Sequence, residues 1–117
     1  MTLPSGRPSL TDAEQAALDA VDALGPATWT ALLAELIAIP SVTGSAAEGD
    51  AQRWVADRLG ALGCEVDHWQ VDLATLTADP EFPGVEAPRE EAWGTVGVFG
   101  ADAGVVPVLA FQGHTDV

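Results

Sequence analysis

The run Val105-Val106-Pro107-Val108-Leu109-Ala110-Phe111 constrains this chain more than any other feature. It is apolar at every position, whereas a strand with one wet face alternates apolar and polar residues. Such a run predicts a short strand covered on both faces, and that requires helical layers around a sheet. Gly100-Ala101-Asp102-Ala103-Gly104 before it has turn composition, and residues 93–100 form another short β-branched and apolar run. Residues 64–71 set Val66, Trp69 and Val71 among polar neighbours, as in a partly exposed strand.

Three helices precede these strands. Thr11-Asp12-Ala13-Glu14 fits a capping box, after which Leu10, Ala13, Ala17, Val21 and Leu24 recur at helical spacing until Gly25-Pro26. Trp29, Leu32, Leu33, Leu36 and Ile37 form a second apolar stripe, closed by Pro40. Ser45-Ala46-Ala47-Glu48 fits another capping box, with Ala51, Trp54, Val55, Leu59 and Leu62 on one face and Gly63 at the stop. Residues 79–91 hold three prolines, a glycine and several acids, so they read as a loop. Helices leading into buried strands predict an α/β layered fold.

Composition narrows the partners. The 117 residues carry 4 Arg, no Lys and 18 Asp plus Glu, giving 4 − 18 = −14. Phosphate backbones and anionic membranes are recognised by Lys and Arg, so nucleic acid and membrane surfaces are excluded as natural partners. The acids read as solubility. At 48% hydrophobic residues the chain has enough apolar surface to fold. Cys64 is alone and forms no internal disulfide, which suits a reducing compartment. Residues 1–9 lack the apolar stretch of a signal peptide, and residues 31–39 are interrupted by Glu35 and too short to span a bilayer. A cytoplasmic location is expected.

His114-Thr115-Asp116 is the candidate site. Residues two apart on an extended segment point the same way, so Asp116 is placed to orient the His114 imidazole and leave its other nitrogen to ligate a metal. Ligands of open α/β sheets gather beyond the carboxyl ends of the strands, where this tripeptide falls. Alone, the tripeptide is a weak signal and reads more readily as a polar strand exit.

The surrounding residues resemble the zinc aminoacylase/carboxypeptidase family, which includes acetylornithine deacetylase and succinyl-diaminopimelate desuccinylase. Three stretches carry the likeness: Leu36-Ile37-Ala38-Ile39-Pro40-Ser41-Val42-Thr43-Gly44 with Glu48 opening the next helix; Leu59-Gly60-Ala61-Leu62-Gly63-Cys64-Glu65-Val66; and Val108-Leu109-Ala110-Phe111-Gln112-Gly113-His114-Thr115-Asp116-Val117. Residues 82–94 also look like a loop of its deacylase-like members. The resemblance implies a three-layer αβα fold, the N-terminal part of a zinc-dependent exopeptidase-like catalytic domain. Residues 1–27 would be an extension with the first helix, and 28–117 part of that domain, ending after its first metal motif.

The implied activity is hydrolysis of an amide bond in N-acyl amino acids or small peptides by metal-activated water. By resemblance His114 is a zinc ligand and Asp116 the catalytic carboxylate that orients it. Two zinc ions are implied in the full-length enzyme, with cobalt or manganese as substitutes, and so is a homodimer. The family's other ligands and its general base follow this motif, so the 117 residues are expected to be inactive alone. Apolar runs seldom close a domain without a polar tail, and the sequence therefore reads as the front of a larger one.

Several residues invite misassignment. Glu90-Glu91 imitates the family's paired glutamates but precedes His114 in an acidic loop and reads as solvated surface. His68 reads as packing or surface, Cys64 as a small strand residue, and Trp29 and Trp54 as core. Capping explains Ser45, and no Gly-x-Ser-x-Gly turn makes Ser41 or Ser45 a nucleophile. The competing reading is a small acidic α/β binding module without catalysis.

Overall fold

A computed structural model describes residues 9–100 and 109–115. The chain divides into two compact units, Met1–Glu35 and Leu36–Val117.

The first unit is dominated by helix α1 (Asp12–Ile37). Its start is the anticipated capping box: Thr11 N–H donates to Glu14 Oε2 at 2.7 Å, and Glu14 N–H donates to Thr11 Oγ1 at 3.3 Å. These bonds favour the ionised carboxylate and hold the Glu14 pKa below the usual glutamate value. The predicted break at Gly25-Pro26 is present: Gly25 takes the non-helical φ 71°, ψ 162°, so α1 is two helical segments meeting at a kink, with Pro26 opening the second. The Thr28 hydroxyl donates to the Leu24 carbonyl at 2.7 Å across it. No residue of α1 is buried, and Trp29 is 45% exposed, which corrects its expected place in a core. An apolar stripe is buried only when something covers it, and α1 is the only helix or strand that begins in this unit among the described residues. At 26 residues α1 is also long and apolar enough to cross a membrane by length and composition, although the apolar stretch marked by its sequence was shorter.

The second unit contains α2 (Ala47–Ala61), β1 (Glu65–Gln70), α3 (Leu73–Ala78) and β2 (Trp93–Val98). The strands pair antiparallel, from Glu65 opposite Val98 to Gln70 opposite Trp93. Period-two geometry puts Val66, His68, Thr95 and Gly97 on one face, and α2 covers it. A Cβ on Gly97 would lie 2.9 Å from Leu59 Cδ1, so glycine lets the helix approach. On the other face Trp69 lies across Gly94, and Val96 is half exposed. Helices with a two-stranded antiparallel sheet make this a mixed α/β fold.

Gly63 takes φ 86° at the end of α2, where Cys64 N–H returns to the Leu59 carbonyl at 3.1 Å, as the sequence anticipates. Helix α3 was not anticipated. Asp72 caps it by accepting from Thr75 N–H at 3.1 Å and Thr75 Oγ1 at 2.6 Å, which lowers the Asp72 pKa. The strand expected over 105–111 falls largely outside the described residues. Its described end corrects the expectation of cover on both faces: residues 109–115 carry no strand, and Phe111 is 91% exposed. Among the described residues, two strands and one covering helix offer no second layer for it to enter.

Candidate functional site

The site is assembled from the loop before α2, from α2 itself, from the 79–91 loop and from residues 113–115. Behind Pro40 the chain turns tightly, with Val42 N–H donating to the Pro40 carbonyl at 2.8 Å. Ser41 is only 2% exposed there, and its hydroxyl donates to the Thr115 carbonyl at 2.8 Å. From α2, Gln52 Nε2 donates to Thr115 Oγ1 at 3.0 Å.

The second capping box does not form. Ala46 stands at the N-cap without a side-chain bond, and Ser45 Oγ is buried without a hydrogen-bond partner. Glu48 Oε2 instead accepts from Gly44 N–H at 3.0 Å and meets Arg89 Nη1 at 3.5 Å, with both side chains largely buried. Gly44 takes φ 85°, and a Cβ there would lie 2.6 Å from the Pro88 carbonyl oxygen. The carboxylate therefore fastens the acidic loop to the start of α2, a tertiary use of a residue with a local motif.

Strand β2 enters through Trp93, whose ring stacks on His68 with centroids 5.0 Å apart and planes 14° apart. Trp93 also abuts Gly49, where a Cβ would lie 3.0 Å from Trp93 Cδ1. Trp93 Nε1 donates to Glu91 Oε2 at 3.3 Å, so Glu91 is half-buried, which corrects its reading as solvated surface, while Glu90 is exposed. Thr95 Oγ1 lies 2.9 Å from His68 Nδ1, in hydrogen-bond contact, and 3.3 Å from the Gln52 main-chain carbonyl, to which it donates. His68 is thus fixed beneath α2 as a packing residue. Trp54 is half-buried, with Arg58 5.2 Å above its ring.

These residues enclose a cleft of about 330 Å³ lined by Glu48, Gln52, Glu86, Arg89, Trp93, His114 and Thr115 among others. His114 sits on it as an exposed residue. Asp116, the second residue singled out by sequence, lies outside the described residues. Imidazole is a donor that zinc accepts, but it is one where a site takes three or four. Among the described residues no group of three His, Cys, Asp or Glu converges. Sequence reasoning missed Ser41, Gln52 and Arg89. Their partners lie 74, 63 and 41 positions away, and no local pattern marks such contacts.

No family model, curated protein or solved structure matches the chain.

Proposed function

We propose that these residues are the front of a zinc-dependent amidohydrolase that cleaves the amide bond of an N-acyl amino acid or small peptide. The observation that carries the reading is the setting of His114: it lines a polar cleft, and Thr115 beside it is hydrogen-bonded to two separate elements. The sequence likeness around Gly113-His114-Thr115-Asp116 supplies the chemistry. His114 would be one zinc ligand and Asp116 the carboxylate that orients it. Bound zinc supplies a water acidified towards neutrality and a polarised carbonyl.

The same reading makes α2 one outer layer of a three-layer αβα domain. The uncovered face of β1 and β2, and exposed Leu109 and Phe111, would be covered by the rest of that domain. It makes the enzyme cytoplasmic, and the ionisable Asp22 and Glu35 within α1 would be costly in a bilayer. The full-length enzyme would be a homodimer.

The test expresses the whole open reading frame that contains these residues, loads it with zinc, and assays N-acetyl amino acids. Hydrolysis that falls to background in His114→Ala supports the proposal, with no turnover by the 117 residues alone. Turnover by those 117 residues, or hydrolysis unaffected by His114→Ala, contradicts it.

A further inference from the structure

We propose that residues 83–91 form a lid over the cleft, held shut by the Glu48–Arg89 pair and opening as one piece when that pair parts. The segment supplies Glu86 and Arg89 to the cleft, and the rest of the lining comes from α2, residues 92–93 and residues 113–115. Both ends of the segment are tied down. Phe82 N–H donates to the Asp79 carbonyl at 3.0 Å and Glu81 N–H to Asp79 Oδ1 at 2.8 Å, while the Ala92 carbonyl accepts from Val71 N–H at 2.9 Å. Between these anchors residues 83–91 make no main-chain hydrogen bond to main chain among the described residues. Segments held in this way open locally before the rest of a fold does. Two features keep this one shut: Arg89 Nη1 lies 3.5 Å from Glu48 Oε2, and the Pro88 carbonyl covers Gly44, where a Cβ would lie only 2.6 Å from it. The pair is incompletely satisfied. Arg89 Nε is buried without a hydrogen-bond partner among the described residues, and Glu48 Oε2 is shared with Gly44 N–H at 3.0 Å. Closure therefore costs the hydration of Nε, whereas opening returns it to water and leaves Glu48 bonded to Gly44. A loop poised in this way shields a cleft from water when shut and admits ligand when open. No metal enters this device, so it stands or falls apart from the hydrolase reading.

The test compares the full chain, free of metal, with Glu48→Gln, which removes the charge but keeps an acceptor for Gly44 N–H. In the parent, ¹⁵N relaxation dispersion is expected at the loop amides and not in α2, β1 or β2; a loop as silent as α2 overturns the proposal. Glu48→Gln weakens the closed state, so exchange of the Arg89 Nε–H with water is expected to rise roughly tenfold. The Trp93 indole N–H should exchange faster in step, because Trp93 lines the same cleft and its acceptor Glu91 belongs to the lid. Unchanged Arg89 exchange in Glu48→Gln overturns the proposal. Acceleration at Arg89 with Trp93 unmoved does so too, since the segment would then not cover the cleft. Acceleration that spreads to the β1 and β2 amides shows general loosening and also overturns it. If Glu48→Gln fails to fold, Arg89→Gln takes its place. The loop order parameters should then fall from about 0.85 towards about 0.6, and values unchanged from the parent overturn the lid.

Discussion

Two segments of this chain carry the same capping signature and meet different fates. At Thr11-x-x-Glu14 the hydroxyl and carboxylate close on each other's backbone, as the local rule requires. At Ser45-x-x-Glu48 the carboxylate is drawn to Gly44 and Arg89, and the hydroxyl is left buried without a partner. The first box is exposed and answers only to its own sequence. The second lies where a distant loop arrives, and a largely buried guanidinium outcompetes one backbone N–H for the carboxylate. A local motif overridden by a long-range partner therefore marks the edge of the candidate site.

The glycines of the two regions should break most unequally. Gly44→Val places a Cβ against the Pro88 carbonyl at a positive φ, and should cost upwards of about 3 kcal/mol in urea unfolding. Gly25→Val meets nothing within 4 Å and should cost only the backbone strain of its φ 71°, ψ 162° conformation, about 1–3 kcal/mol. Equal costs would remove the distinction between a packed and an open turn.

Replacing Glu48 with Ala should destabilise the second unit by about 1–3 kcal/mol, since Gly44 N–H loses its acceptor and Arg89 its carboxylate. Thr11→Ala should cost about 1 kcal/mol of α1 stability, read as helicity by circular dichroism. Ser45→Ala should stay within about 0.5 kcal/mol of the parent, because its hydroxyl has no hydrogen-bond partner among the described residues. A Ser45 effect as large as that of Thr11 would mean that the second box forms in solution.

The smallest effect is acid fraying. The folded pKa of Glu14 lies below its unfolded value, so its stabilisation is present above the unfolded value and is lost as pH falls through the folded one. Amide exchange in the first turn of α1 should accelerate over that acid window. Glu14→Gln should abolish the acceleration without altering exchange in β1 or β2.

What the sequence made legible was local. Thr11, Gly25-Pro26 and Gly63 punctuate helices through neighbours a few residues away, and the apolar pattern located α2, β1 and β2. Helix α3 escaped because six residues are too few to show a period, although Asp72 followed by Thr75 was a usable cap signal. Trp29 misled because a helical stripe announces that burial is wanted without naming what provides it. At the site, His114 was legible as a residue type in a motif. Ser41, Gln52 and Arg89 were not, because each acts through a partner that only folding brings near.

The central claim is that His114, rather than His68, is the histidine that meets a metal. Zinc titration of the purified chain, watched through the ring resonances of both histidines, tests it directly. The account predicts weak, saturable shifts of the His114 ring, abolished in His114→Asn, while His68 stays unmoved between Trp93 and Thr95. Shifts at His68 with a silent His114 would contradict it.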